Sequence, residues 1–153
     1  MAQRRPQGRG QQLLDPDDIR LLTQIGFLAA AGADVQRAKV IFGALSCVRP
    51  ERSFAHVGMA TALLNAGRAG DAVLYLEKLR LPAGEEADMV QVFLGIALQM
   101  DRRNSEATRV LRRIASSADG KPPSEAALLA QKLLGDVPAA PFGQTALATL
   151  SGH

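Results

Sequence analysis

Hydrophobic and polar residues recur along this chain in helical periods, and two kinds of helical stretch alternate. The segment from Ser53 to Leu79, SFAHVGMATALLNAGRAGDAVLYLEKL, holds one of each. Between Arg52 and Arg68 there is no charged side chain, so its first part is apolar on nearly every face and must be covered on more than one side. Asn65-Ala66-Gly67-Arg68 signals a tight turn, and from Asp71 onward the pattern is that of an ordinary amphipathic helix.

The same alternation lies on both sides. Upstream, Asp15-Pro16-Asp17-Asp18 supplies a capping acid, a proline at the first helical position and two acids in the first turn; this predicts a helix to about Ala31, ending at Gly32. Asp34 caps the next, in which Ala38, Ile41, Phe42 and Leu45 form one apolar stripe, and Pro50 closes it. Cys47 is expected there as a small buried hydrophobe. Downstream, after Pro82 and Gly84, an apolar helix is expected from about Glu85 to Met100. Asn104 or Ser105 then caps a helix with Ala107, Leu111 and Ile114 inward and Arg109, Arg112 and Arg113 on a solvated face. Beyond the break Asp119-Gly120-Lys121-Pro122-Pro123, Ser124 caps a seventh helix to about Leu134, whose Leu128, Leu129 and Leu133 would cover the end of the array.

These pairs share a register. Ala72 and Leu76 follow Ala38 and Phe42 by 34 residues. Ala107 and Leu111 come one residue late, and the loop Leu81-Pro82-Ala83-Gly84 has room for the extra residue. Each pair is preceded by an apolar helix with a small residue near its middle: Gly26, then Gly58 or Ala60, then Gly95. Small residues there allow close approach between helices. A helix-turn-helix period of this length resembles the tetratricopeptide repeat, over roughly Asp17 to Ala115. Gly26, Ala38, Phe42 and Pro50 match that family's spacing, although no copy has its Trp. The expected fold is all-α: a tetratricopeptide-repeat-like superhelix of three helix-turn-helix units plus a C-terminal capping helix, over residues 15–135. A disordered basic tail (1–14) and a flexible tail (136–153), with at most a turn of helix near Ala146 to Leu150, would flank it.

Composition narrows the function classes. With 47% hydrophobic residues and only 4% aromatic, the core is built from Leu, Ala, Val and Ile. The net charge of +3 is matched by Arg4, Arg5 and Arg9. The remainder is neutral and lacks the basic face that nucleic-acid binding requires. One cysteine forms no internal disulfide, which suits a reducing compartment. The arginines of MAQRRPQGRGQQ adjoin no apolar stretch of secretory-signal type, and the longest apolar run, Ile25 to Ala33, is too short for stable membrane insertion. A cytoplasmic location is expected. His56 and His153 lie far apart, Gly120-Lys121 lacks the upstream glycine of a phosphate loop, and no histidine is placed to activate a serine. Neither an enzyme nor a metal or other cofactor is expected.

In tetratricopeptide repeats the first helices of successive units line the concave surface. The resemblance places the lining at Arg20, Thr23, Phe27 and Ala30, then Phe54, Val57, Thr61 and Leu64, then Met89, Val92, Ile96 and Gln99. Most are apolar, and an apolar patch of this kind marks a binding site for a segment with hydrophobic anchors. Phe42 to Val48, followed by Phe54, Val57 to Ala60, Asn65 to Arg68 and Asp71 to Val73, resembles the first repeat junction of the small chaperones of bacterial type III secretion systems. The likeness covers roughly residues 19–80. It implies a cytoplasmic chaperone that holds a secreted client, whether a translocator, a needle subunit or another early exported subunit, with a homodimer as a further association. A general repeat scaffold and a self-associating structural subunit are the alternatives.

Overall fold

The computed structural model describes residues 14–116 and 121–135. Seven helices follow in order: α1 (Pro16–Ala31), α2 (Val35–Val48), α3 (Phe54–Asn65), α4 (Ala69–Glu77), α5 (Glu85–Met100), α6 (Asn104–Ala115) and α7 (Glu125–Leu134). No strand occurs among the described residues. Successive helices pack on one another, and so do α1 and α3, α3 and α5, and α5 and α7, whereas α2, α4 and α6 do not touch each other. Helices in mutual contact lie closer than those that are not, so the array is concave on the side of α1, α3, α5 and α7. The chain is a tetratricopeptide-repeat-like superhelix of three helix-turn-helix units, with α7 packed on α5 and α6 as the cap.

Local chemistry sets the helix ends. Asp15 forms a capping box, accepting from the backbone of Asp17 and Asp18 while Asp18 accepts from the Asp15 N–H. Asp34 accepts from the Arg37 N–H, and Ser124 from that of Ala127. Gly135, at φ 74°, ends α7. The start of α6 differs from expectation: its N-cap is Arg103, which makes no capping bond. Instead the Arg103 guanidinium donates twice to Glu106, at 2.9 and 2.7 Å, so the first-turn acid that favours the helix N-terminus also neutralises the arginine beside it.

The periodic residues meet in the core. Ala38 and Phe42, Ala72 and Leu76, and Ala107 and Leu111 are all buried. The glycines opposite them are spatial necessities. A Cβ on Gly58 would stand 2.1 Å from the Phe42 ring, one on Gly26 2.8 Å from the same ring, and one on Gly95 2.6 Å from Leu111. Phe42 is thus wedged between α1 and α3. Ala60 holds the repeat-equivalent place of Gly26 and Gly95 and is fully buried, but Gly58 makes the room. Eight of the twelve residues of α3 are buried, and α1, α2, α4 and α5 surround it, as an uncharged helix requires.

The turns inside the units carry a second periodicity. Ala33, Gly67 and Arg102 all have left-handed backbone, at φ 56°, 73° and 63°. Around each, the next N–H reaches back to close the same ring: Asp34 to Ala29 at 2.9 Å, Arg68 to Leu63 at 2.8 Å, and Arg103 to Leu98 at 2.8 Å. This is the Schellman helix ending. The residue after it pairs with the one three further on, as Asp34 with Arg37, Arg68 with Asp71 and Arg103 with Glu106. The charges are reversed in the first unit.

Two side chains lie elsewhere than expected. Cys47 is exposed: Ala38, Phe42 and Leu45 form the buried stripe of α2, and two further residues rotate Cys47 to its opposite side. Leu128 is 48% exposed, because α7 docks through Ala126, Ala127 and Ala130, flanked by half-buried Leu129 and Leu133. Small residues bring α7 close and turn Leu128 outward. Leu14 is half-buried, whereas the rest of the expected N-terminal tail, Asp119-Gly120 and residues 136–153 lie outside the described residues.

Candidate partner-binding groove

The lining positions fall on α1, α3 and α5, of which α3 touches both of the others, on the concave side of the array. They are not equally available. Phe27, Phe54, Val57, Met89 and Ile96 are half-buried, so each retains apolar surface toward solvent. Leu64 and Val92, at 7% and 0% exposure, are core side chains and present almost nothing to a partner. They sit where the helix turns toward its neighbours. Thr23 and Thr61 are half-buried, and each hydroxyl donates to its own helix, to the Ile19 and Val57 carbonyls at 2.6 and 2.7 Å. Arg20 is exposed on the first unit.

The floor is anchored to the core. The Phe27 ring stands edge-on to Phe42, with centroids 5.1 Å apart, so the aromatic of the groove leans on the ring wedged between Gly26 and Gly58. Beside it Thr23, Gln24, Phe27 and Leu28 line an open apolar depression. At the other end of these helices, Asn65 donates to the Ala30 carbonyl at 2.9 Å, tying α3 to α1. Sequence places this amide near a turn; the fold spends it on structure.

A third tie fixes α3 against α5. The buried Ser53 N–H donates to Glu86 at 2.5 Å, and Arg52 lies 3.4 Å from the other carboxylate oxygen. Hydrogen bonding from Ser53, hydroxyl first and then backbone, holds the Glu86 carboxyl below its usual range. Sequence reading gave no signal for this pair, which is 33 residues apart. Behind the groove His56 and Tyr75 share a hydrogen bond, Nδ1 to Oη, at 2.8 Å. Burial pushes the imidazole pKa down and that of the phenol up to about 12, so both are neutral at pH 7. They bind α3 to α4.

Comparison with protein-family models, with characterised proteins and with solved structures returns no match. The residues must therefore carry the functional reading themselves. Among the described residues no three His, Cys, Asp or Glu side chains gather as metal ligands, and no helix is long and apolar enough to cross a membrane. What the arrangement offers is shape: a concave apolar surface on a rigid frame. The cap packs on its α5 end, beside Met89 and Ile96, and touches neither α1 nor α3.

Proposed function

We propose that this protein is a cytoplasmic chaperone of a type III secretion system, which holds an export client through its concave face and performs no enzymatic step. The observation that supports the reading is the row of half-buried apolar side chains, Phe27, Phe54, Val57, Met89 and Ile96, on the inner helices, of which the cap packs on α5 but touches neither α1 nor α3. Apolar surface left in water at the centre of a concave array costs stability unless a partner covers it. The resemblance of residues 19–80 to small secretion chaperones supplies the class of partner: a secreted subunit with hydrophobic anchors that would otherwise insert in a membrane or self-assemble.

The mechanism needs only differential burial. Anchors of the client enter the row, are removed from water, and are withheld from the client's own assembly contacts. Competition at the export apparatus releases them without nucleotide hydrolysis. The test is recovery of the tagged protein at native level, with mass spectrometric identification of what accompanies it. A stoichiometric exported protein is expected, retained by the wild type and lost on Val57→Glu with the circular dichroism unchanged. Recovery of the chain alone would overturn the reading. Phe54→Glu serves as the second variant, and unfolding by it would reassign Phe54 to the core.

A further inference from the structure

The left-handed turn that closes each inner helix occurs a fourth time. Gly135, at φ 74°, follows Arg102 by 33 residues, as Arg102 follows Gly67 by 35 and Gly67 follows Ala33 by 34. At all four, the N–H of the left-handed residue donates to the carbonyl three residues back, on Ala30, Leu64, Gln99 and Lys132, at 3.0–3.1 Å. Counted back from that turn, Ala127 and Ala130 of α7 take the places of Met59 and Ala62 in α3 and of Leu94 and Ala97 in α5, and all six are buried. Helix α7 packs on α5 and α6 as α3 packs on α1 and α2. The cap is therefore built as the inner helix of a fourth unit.

The same count carries the lining onto it. Phe27, Thr61 and Ile96 hold one lining position in the first three units, and Leu129 holds it in α7; all four are half-buried. Leu129 packs on the same buried cluster as Met89 and Ile96, so the apolar row continues onto the cap. The flanking positions change character. Thr23, Val57 and Val92 are followed by Glu125, and Ala30, Leu64 and Gln99 by Lys132. Both charged residues are exposed, and neither is ion-paired among the described residues. Standing four residues before Leu129 and three after it, they share its face.

We infer that α7 is a fourth row of the groove and the one that reads charge: the client's last hydrophobic anchor meets Leu129, with a basic side chain beside it toward Glu125 and an acidic one toward Lys132. This rests on the groove proposed above and names what that groove selects. In the first three rows only Arg20 is charged, so those rows discriminate by shape alone. Apolar contact supplies affinity there, and complementary charge at the rim supplies selectivity. Four rows also set a length. Three steps between helix axes of about 8–10 Å each take about nine residues of extended chain or about five turns of helix.

The test selects peptides from a phage-displayed random library, long enough to span four rows, on the purified full chain, on Val57→Glu and on the double variant Glu125→Lys, Lys132→Glu. The wild type should enrich peptides with spaced apolar anchors, the last flanked by a base and an acid on opposite sides. Read by fluorescence anisotropy, those peptides should bind Leu129→Ala roughly tenfold more weakly and the charge-swapped chain roughly threefold more weakly at low salt. The charge-swapped chain should itself enrich peptides with the two charges exchanged. Both positions are exposed, so the swap leaves the fold intact and keeps the test independent of any stability lost in Leu129→Ala. Peptides that depend on Val57 but enrich equally on the charge-swapped chain overturn the inference and leave the groove standing. No enrichment on the wild type overturns the groove itself, and this inference with it.

Discussion

The Phe42 ring occupies the space that a side chain on Gly58 would fill, with 2.1 Å between its Cζ and the place of a Cβ. Helices α2 and α3 are locked by this absence. Gly58→Ala should therefore lower stability by about 1–3 kcal/mol, the usual cost of overpacking, and Phe42→Leu should recover part of the loss in the double variant, read from urea midpoints. Gly43 is the internal control. It lies within α2, and a Cβ there meets nothing within 4 Å, so Gly43→Ala should stabilise by about 0.5–1 kcal/mol.

The left-handed turn residues make a matched set. Gly67→Ala should destabilise by roughly 1 kcal/mol, because a Cβ crowds the carbonyl at that φ. Arg102→Gly and Ala33→Gly, at the equivalent turns, should move the other way by up to about 1 kcal/mol, the strain relieved exceeding the added unfolded-state entropy. Opposite signs at equivalent positions, measured by thermal or urea unfolding, are the expected outcome.

His56 gives the fold a pH dependence. Its folded pKa is depressed by burial below the ordinary 6.5, so between the two values the unfolded chain binds more protons and stability rises with pH. The contribution is complete above about pH 6.5 and is lost as pH falls through the window down to the folded pKa. Urea midpoints should drop on acidification from pH 7.5 to 5.5, and His56→Gln should flatten the slope. The Glu86 contribution is also lost on acidification, but below its ordinary 4.5, which separates the two.

Glu86→Ala removes the acceptor of the Ser53 N–H, a buried donor at the head of α3. Leaving it unsatisfied costs about 1–3 kcal/mol. Amide exchange at the first turn of α3 should accelerate more than at its centre, since the tie acts on the helix start. Uniform acceleration along α3 would show that Glu86 has no local role.

Much of the architecture was legible in order along the chain. The starts and ends of α1 and α7, the capping roles of Asp15, Asp34 and Ser124, and the pairing of Ala38 with Phe42 and its two repeats depend on residues within a few positions of one another, where composition and geometry are directly linked. The turn periodicity at Ala33, Gly67 and Arg102 was hidden because only one of the three is glycine, so the shared backbone conformation leaves no shared residue type. The charge swap between Asp34–Arg37 and its two counterparts concealed the other half of that signal. The repeat register assigns the lining positions to α1, α3 and α5, but it could not separate half-buried Val57 and Ile96 from fully buried Val92.

By itself, then, the sequence determined the helical period, the three units, the caps and the apolar character of the inner helices, because short-range sterics, hydrogen bonding and amphipathic spacing act between near neighbours. Only the tertiary structure decided that Gly58 and not Ala60 makes room for Phe42, that Glu86 reaches Ser53, that Cys47 and Leu128 face outward, and that Leu21, Ile25 and Leu28 are left bare. Each of these depends on which helix arrives from far along the chain, and at what distance. An apolar residue in one unit and its repeat in the next are alike in sequence, but one has a neighbour packed against it and the other does not.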